Sequence, residues 1–210
     1  IKTAIKILKP IFSKKVRDTN ELYEVFNNFS WENYISIDKT FVVESNVFGK
    51  IFTHSKYVSL KAKDGIVDRF KKKFNGRPNI SIKDPDLIIN IHLNDNFCNV
   101  SINSSGSNLN QRGFRKSTNI APINEVLASG IIKLTGWNGN SDFLDPMCGS
   151  GTFLIEAALI AGNIPGNLNR NSFAFSKWND WDLNLFNLIK DYQLKKIKKI
   201  NINIFGYDKS

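Results

Sequence analysis

The sequence has 210 residues, of which 41% are hydrophobic and 23% are charged. These proportions are typical of a chain that folds around an apolar core, and they exclude wholesale disorder, collagen and coiled coil. Lysine and arginine outnumber aspartate and glutamate by 29 to 19, and the formal net charge of +10 favours a polyanionic partner, nucleic acid above all.

Cysteine and histidine usage argues against a metal site. The two cysteines, Cys98 and Cys148, lack a CxxC spacing, and the two histidines are His54 and His92. We therefore expect no zinc cluster and no disulfide. We also expect a protein of the cytoplasm, where cysteines are kept reduced. Apolar runs fall far short of the roughly 20 residues of a membrane helix. The missing initiator Met and the strand-like end predict a fragment of a longer protein.

The first half of the chain mixes helical and strand patterns. Four apolar residues at a spacing of four, Ala62, Ile66, Phe70 and Phe74, predict one helix, and the turn Asn94-Asp95-Asn96 predicts a hairpin. The predicted helices cover 20–29 and 58–74, and the predicted strands cover 40–45, 87–93 and 97–102. This mixture predicts a small α+β domain that ends in the flexible loop 104–108.

The second half has a different order of patterns. It predicts a helix over 122–134, capped by Thr118 or Asn119, a strand over 142–145, an apolar helix over 152–162, a helix over 183–199 and a strand over 201–207. Strand, glycine-rich loop, apolar helix, long excursion and strand in this order are typical of the front half of a doubly wound α/β domain. Aromatic residues of the excursion, among them Trp178 and Trp181, either stack bases or fold this insertion onto its own domain, and we favour the second.

The residues whose pattern indicates a ligand-binding site lie in the stretch FLDPMCGSGTFLIE, residues 143–156. A predicted strand ends in the carboxylate of Asp145, Gly149 and Gly151 turn the chain without side chains, and a helix follows. A ligand can lie there against bare backbone, next to the free N–H groups and the positive dipole end of the helix. Neither GxxxxGK[ST] nor a full GxGxxG is present, so the pattern predicts a cofactor site other than a phosphate loop.

The string DPMCGSGTFLIEAA resembles the cofactor loop of class I S-adenosylmethionine-dependent RNA methyltransferases that carry a THUMP domain. Within that family it is similar to the large-subunit ribosomal RNA guanine-N2 methyltransferases, which are often named N6-adenine DNA methylases. Further matching stretches run nearly end to end: KAKDGIVD at 61–68, RPNI at 77–80, RGFR at 112–115, APINEVLA at 121–128 and GYDKS at 206–210.

The resemblance implies an α+β THUMP domain followed by the start of an α/β Rossmann-like class I methyltransferase domain. The expected boundaries are 1–106 for the THUMP domain, with a partial ferredoxin-like part at its N-terminus, 107–140 for a linker and helix, and 141–210 for the truncated methyltransferase domain. The family's Asn/Asp-Pro-Pro-Tyr motif is missing from the sequence. No catalytic residue is therefore expected in this chain, and the fragment alone is expected to be inactive.

The resemblance also implies S-adenosylmethionine as the cofactor. The loop would cradle its methionine part, and an acidic residue after the second strand would accept hydrogen bonds from the ribose hydroxyls. That residue, Asp208, follows Asp145 by 63 residues, so the resemblance requires an insertion over roughly 163–199. The expected cofactor residues are Asp145, Pro146, Met147, Cys148, Gly149, Ser150, Gly151, Thr152 and Asp208. Glu156, in the helix that follows, is expected to brace that helix.

Basic residues cluster between residues 61 and 77. Such a run is either a solvated helix face or, in a THUMP-like pattern, a set of phosphate contacts. Arg112 and Arg115 either pair with RNA phosphates or hold the linker onto the methyltransferase domain. The expected RNA-binding residues are Lys61, Lys63, Arg69, Lys72, Lys73, Arg77, Arg112 and Arg115.

The resulting hypothesis is an RNA methyltransferase that methylates an exocyclic base amine, guanine N2 of large-subunit ribosomal RNA. Its expected partner is that RNA, with no membrane and no metal. A non-catalytic RNA-binding module and an N6-adenine DNA methyltransferase are the alternatives. The THUMP-like half argues against DNA.

Overall fold

A computed structural model describes residues 1–113, 122–170 and 172–209. The described residues form two compact units. The sheet unit consists of Ile7–Gly106 and Phe173–Trp181, and the loop unit takes the described parts of Ile1–Lys6, Ser107–Ser172 and Asp182–Ser210. These bounds differ from the expected domains because the first six residues lie in the loop unit and a nine-residue segment of the excursion lies in the sheet unit.

The sheet unit is built on a mixed five-stranded sheet. Its strands are β1 (Leu8–Lys15), β2 (Thr40–Phe48), β3 (Asn79–Ile80), β4 (Leu87–Asn94) and β5 (Phe97–Asn103), in the spatial order β1-β5-β4-β2-β3. Strand β2 is parallel to β3 and β4, whereas β5 is antiparallel to β1 and β4. The predicted strands and the predicted hairpin are present in this sheet.

Two helices pack with this sheet, α1 (Thr19–Asn28) and α2 (Ser55–Phe74). Their close approach depends on Gly65, because a Cβ atom there would lie 2.7 Å from the carbonyl oxygen of Tyr23. Large apolar side chains are fully buried in the core of the unit: Phe26, Trp31, Phe41, Phe70, Ile89 and Ile91. Burial of these side chains is the main source of stability for the α+β unit that the sequence predicts.

Strand β1 was not predicted from the sequence. It lies at an edge of the sheet, most of its residues are exposed, and its pairing with β5 shifts register between Pro10 and Phe12. Proline and lysine are the residues that natural proteins place on edge strands, where they disfavour further pairing. They also interrupt the alternation of apolar residues by which a strand is recognised.

The segment Phe173–Trp181 was expected to fold onto the methyltransferase domain, and the structure corrects this expectation. The Lys177 ammonium donates to Asp84 Oδ1 at 2.6 Å, and the Lys39 ammonium donates to the Lys177 carbonyl oxygen at 2.9 Å. The Trp178 ring packs against the core of the sheet unit. These contacts explain why an aromatic-rich segment far along the chain belongs to this unit.

The loop unit contains two parallel strands, β6 (Phe143–Asp145) and β7 (Ile204–Gly206), and three helices, α3 (Glu125–Leu134), α4 (Thr152–Ala161) and α5 (Leu183–Leu194). Helix α4 packs on α3, β6 and β7. The side chain of Asn124 caps α3 by accepting the Val126 N–H at 2.9 Å. The helix thus begins later than predicted, and the caps expected at Thr118 or Asn119 lie outside the described residues.

The architecture agrees with the expected start of a Rossmann-like domain, since a strand, a glycine-rich loop, a helix and a parallel strand follow one another. None of the helices in the described ranges has both the length and the hydropathy of a membrane span.

Candidate cofactor site and candidate RNA-binding surface

The loop between β6 and α4, residues 145–152, is held against the chain that follows β7. The Tyr207 N–H donates to the Asp145 carbonyl oxygen at 2.9 Å, and the Cys148 N–H donates to the Tyr207 carbonyl oxygen at 2.8 Å. Gly206 lies close to the loop, because a Cβ atom there would meet the side chain of Leu154 and lie 3.1 Å from Cys148 Cβ, so that these side chains would have to move. The fold therefore fixes the loop from both sides. We call residues 145–152 the cofactor loop.

Asp208 lies at this loop, as the sequence predicts. Its Oδ2 atom accepts the Gly149 N–H at 2.7 Å. Parallel pairing of β6 with β7 explains how residues so far apart in sequence meet, because the carboxyl ends of parallel strands lie at the same edge of the sheet. The long insertion between them does not disturb this edge.

Only one of the two carboxylate oxygens of Asp145 accepts a hydrogen bond from the described residues. Its Oδ1 atom accepts the Met147 N–H at 3.1 Å, whereas its Oδ2 atom is buried and has no hydrogen-bond partner among the described residues. A buried carboxylate oxygen without a donor is costly. The cost disappears when a ligand supplies the donor.

The backbone of the cofactor loop is bare on its outer side. Gly149 and Gly151 have φ angles of +51° and +73°, and a Cβ atom added at Gly149 would meet nothing within 4 Å. Gly151 is the N-cap residue of α4 and has no side chain to cap the helix. An orphaned carboxylate oxygen, open space over glycines and a helix N-terminus suit a ligand that carries both hydrogen-bond donors and a negative group.

The structure brings the nine predicted cofactor residues together, although they differ in exposure. Met147 is 83% exposed, and Thr152 is buried as the first residue of α4. Cys148 is a free cysteine of intermediate burial that holds the loop through its backbone. The expected set is thus one contiguous loop together with Asp208.

Behind this loop, helix α4 carries a buried ion pair. Arg112 Nε donates to Glu156 Oε1 at 3.1 Å and Arg112 Nη2 donates to Glu156 Oε2 at 3.3 Å, with both side chains fully buried. Arg112 Nη2 also donates to the Lys2 carbonyl oxygen at 2.6 Å. Burial raises the pKa of Glu156, and Arg112 opposes this rise.

The buried ion pair bears on the roles that the sequence predicts for Arg112 and Glu156. Arg112 cannot reach an RNA phosphate from a fully buried position, so the prediction of an RNA contact is wrong for this residue. Its alternative role, holding the linker, agrees with the pairing, and Glu156 braces its helix as predicted. Arg115 lies outside the described residues.

In the sheet unit, Arg69 also proves to be a structural residue. All five of its N–H donors are used within the unit: by both carboxylate oxygens of Glu32, by the Ser30 hydroxyl and by the carbonyl oxygens of Asn27 and Asn28. The side chains of Arg69 and Glu32 are only 19% and 15% exposed. These contacts favour a structural role for Arg69, and its RNA contact stays a prediction.

The other basic residues between 61 and 77 differ in how far their side chains are exposed and in whether they pair with a carboxylate. Lys63 pairs with Asp64 at 2.7 Å and Lys73 pairs with Glu32 at 2.6 Å, with lysine side chains 30% and 50% exposed. Lys72 and Arg77 are exposed. We call the set formed by Lys61, Lys63, Lys72 and Lys73 of the helix and by Arg77, three residues after its end, the basic surface of α2.

A second basic region was missed from the sequence. Lys14, Lys15 and Arg17 line a cavity of about 790 Å³ together with the aromatic rings of Phe12 and Phe29, and the carboxylates of Glu21, which pairs with Arg17, and Glu24 also line it. The run KKVR at residues 14–17 was the available signal. Its strand was not recognised, so its position in the fold was not expected.

Comparisons with known proteins match both parts of the chain, and the second match includes the segment Phe173–Trp181. Residues 16–103 match the family model of the THUMP domain, and residues 112–210 match that of the RMKL-like methyltransferase domain. The ribosomal RNA large subunit methyltransferase K/L of Psychromonas ingrahamii is 38% identical over 99% of this chain, which covers 28% of that protein.

Two solved structures are similar to nearly the whole chain. A predicted N6-adenine-specific DNA methylase from Listeria monocytogenes superimposes with a TM-score of 0.88 at 25% identity, over 100% of this chain and 55% of that one. SMU.472, solved in complex with SAH, gives a TM-score of 0.86 at 30% identity, over 98% of this chain and 55% of that one.

The fold and the cofactor loop define the class: a THUMP domain joined to the first part of a class I methyltransferase domain. Within this class, residues 112–210 are similar to the RMKL-like methyltransferase domain, and the chain is similar to part of the K/L methyltransferases. It spans little more than a quarter of the length of the curated relatives that it matches.

Proposed function

We propose that this chain is part of an S-adenosylmethionine-dependent RNA methyltransferase that modifies the exocyclic amine of a guanine, N2, in large-subunit ribosomal RNA. The observation that carries the proposal is the orphaned Oδ2 atom of Asp145 beside the bare backbone of Gly149. The resemblance to methyltransferases K/L supports the RNA substrate. Such a substrate is consistent with a cytoplasmic protein.

The residues of the cofactor loop would hold S-adenosylmethionine, which supplies an electrophilic methyl group when bound. Asp145 would accept a hydrogen bond through its orphaned oxygen, and backbone N–H groups at the start of α4 would face the ligand's carboxylate. Asp208 would accept hydrogen bonds from the ribose hydroxyls. These residues position the cofactor, because methyl transfer to a flipped-out base amine depends chiefly on alignment.

The basic surface of α2 would contact RNA phosphates. Such contacts position the RNA and do not read its sequence, so affinity should fall steeply with salt concentration. The THUMP match over 16–103 favours RNA over DNA, because DNA methyltransferases usually carry a different recognition domain. The alternative of N6-adenine DNA methylation is therefore not favoured.

The first test replaces one glycine of the cofactor loop in the full-length protein. We expect Gly149→Val to weaken S-adenosylmethionine binding at least about tenfold, because the new side chain occupies the open space over the loop. Isothermal titration calorimetry measures the affinity. Gly136→Val is the matched control, since Gly136 also has a positive φ angle, +77°, and open space around its Cβ position, but lies outside the loop.

Both variants place a β-branched side chain at a positive φ angle in open space, so the comparison isolates the position in the loop. The control should bind with wild-type affinity. Equal affinity of the Gly149→Val variant and the wild type would remove the cofactor loop from the proposed function.

A further inference from the structure

At one end of the sheet of the sheet unit, one face, here called the open face, exposes its side chains to solvent. Strand register places Lys15, Phe97, Asn94 and Phe48 in one row across four strands, β1, β5, β4 and β2. A second row next to it contains Ser13, Asn99, His92 and Asn46. All eight residues are exposed, whereas the alternate residues of β4 and β5 in this part of the sheet lie in the core.

The aromatic residues of the open face are the unexpected feature. Phe97 is 51% exposed and Phe48 is 56% exposed, although solvent-facing positions of a sheet normally carry polar residues. The ring of His92 lies 5.2 Å from that of Phe48, and the Lys15 ammonium lies 4.9 Å from the Phe97 ring centroid. Three rings in two adjacent rows form one surface, and none of them fills the core.

The remaining side chains of this surface are amides, hydroxyls and a cation. Asn46, Asn94 and Asn99 carry both donors and acceptors of hydrogen bonds, and the Ser13 hydroxyl donates to Asn99 Oδ1 at 2.6 Å. Flat rings flanked by amides and a lysine match the three parts of a nucleotide, namely the face of the base, its edge and its phosphate. An apolar protein partner would find few apolar neighbours around these rings.

From this pattern we infer that the open face binds single-stranded RNA by stacking unpaired bases on Phe48 and Phe97. Two strand spacings separate these rings across the sheet, roughly 10 Å, so that two different bases have room to stack. Lys15, which lies beyond Phe97 at the edge of the sheet, contacts a phosphate next to the base on Phe97. The inference rests on the proposed RNA-directed function and adds a site for unpaired bases, apart from the basic surface of α2.

Charge around the open face supports this occupant. Lys15 and its neighbour Lys14 are exposed at the edge of the sheet, whereas Arg17 beside them is paired with Glu21. The acidic side chain of the face, Glu44, lies one row further on and accepts a hydrogen bond from the Asn90 amide at 3.3 Å. A polyanion can therefore lie across Lys15 and the first two rows without crossing the Glu44 carboxylate.

The test uses the full-length protein and a single-stranded RNA oligonucleotide that contains 2-aminopurine, whose fluorescence is quenched when the base stacks. The wild type should bind and quench. Phe48→Ala and Phe97→Ala should each weaken binding at least about fivefold and reduce quenching, the range for loss of one base–aromatic stack. Phe97→Tyr should restore both, because tyrosine keeps the ring.

Two controls separate stacking from other effects. Tyr192→Ala removes a ring that is 57% exposed and has a lysine ammonium 4.1 Å from its centroid, but that lies outside the open face, and it should leave binding unchanged. Phe97→Leu keeps apolar surface and removes the ring, so it should bind as weakly as Phe97→Ala. Circular dichroism checks that each variant is folded.

Several results would overturn the inference. Wild-type affinity of the phenylalanine variants, full binding by Phe97→Leu, or equal affinity for a duplex of the same sequence would each exclude base stacking on this face. If the phenylalanine variants bind normally while Lys72→Glu with Arg77→Glu weakens binding, the proposed RNA-directed function stands and the open-face site fails. If the wild type binds no RNA, both fail.

Discussion

Each unit contains an arginine–glutamate ion pair, and the two pairs differ in how far they are buried. In the sheet unit, Arg69 satisfies all five donors around Glu32, and water still reaches the pair. In the loop unit, Arg112 and Glu156 are fully buried, and Arg112 Nη1 has no partner among the described residues. The exposed fraction and the number of satisfied donors distinguish the two pairs.

The two glutamates respond in opposite directions. Hydrogen bonds from Arg69 and Lys73 hold the pKa of Glu32 well below its usual value of 4.5, and burial opposes them without prevailing. Burial raises the pKa of Glu156 above 4.5, and Arg112 opposes this rise without cancelling it. A carboxylate paired with an arginine is therefore stabilised only where the pairing outweighs the loss of water.

The largest effect is expected from breaking the buried pair. Arg112→Met leaves Glu156 buried without its partner and should lower the free energy of unfolding by about 3–5 kcal/mol. Urea denaturation of the chain, followed by circular dichroism, measures this loss. The comparison of the two pairs would be wrong if the variant were as stable as the wild type.

A double variant sharpens this prediction. Arg112→Met combined with Glu156→Leu replaces both charges by apolar groups, and it should recover much of the lost stability because no buried charge remains. A double variant that is no more stable than Arg112→Met alone would contradict the explanation by an unpaired buried charge.

Breaking the more exposed pair should cost less. Arg69→Met removes hydrogen bonds to a charged group that water can partly replace, and we expect a loss of about 1.5–3 kcal/mol in the free energy of unfolding. The same urea denaturation measures it. Lys72→Met is the control, since Lys72 is exposed on the same helix, and it should change stability by less than about 0.5 kcal/mol. A larger loss for Arg69→Met than for Arg112→Met would reverse the comparison.

The sequence predicts those parts of the fold and the site that depend on residues close together in the chain. The cofactor loop follows from one contiguous stretch, 143–156, and the core face of α2 follows from a repeat of four residues. The partners of the two arginines could not be predicted, because Glu32 and Glu156 lie 37 and 44 residues away from them. Charge alone does not tell whether an arginine faces RNA or a distant glutamate.

Non-local packing also explains the remaining errors. The segment Phe173–Trp181 contains no signal that would assign it to the sheet unit, because its contacts with Asp84 and Lys39 span more than 90 residues. Strand β1 is exposed, and its pairing is visible only once β5 is in place. The open face was likewise not foreseen, because it arises from four strands that are separate in the sequence.

The smallest expected effect is a difference in pH dependence. Because the pKa of Glu32 is lowered, its charged form stabilises the fold above about pH 4.5, and this stabilisation is lost as the pH falls further. The raised pKa of Glu156 has the opposite sign: stability rises as the pH falls from neutral towards 4.5, because the folded state takes up a proton first. Glu32→Gln should therefore destabilise more at pH 7 than at pH 3, whereas Glu156→Gln should destabilise less at pH 7 than at pH 4. Urea denaturation across this range measures both differences, and the same sign for the two variants would contradict the contrast between pairing and burial.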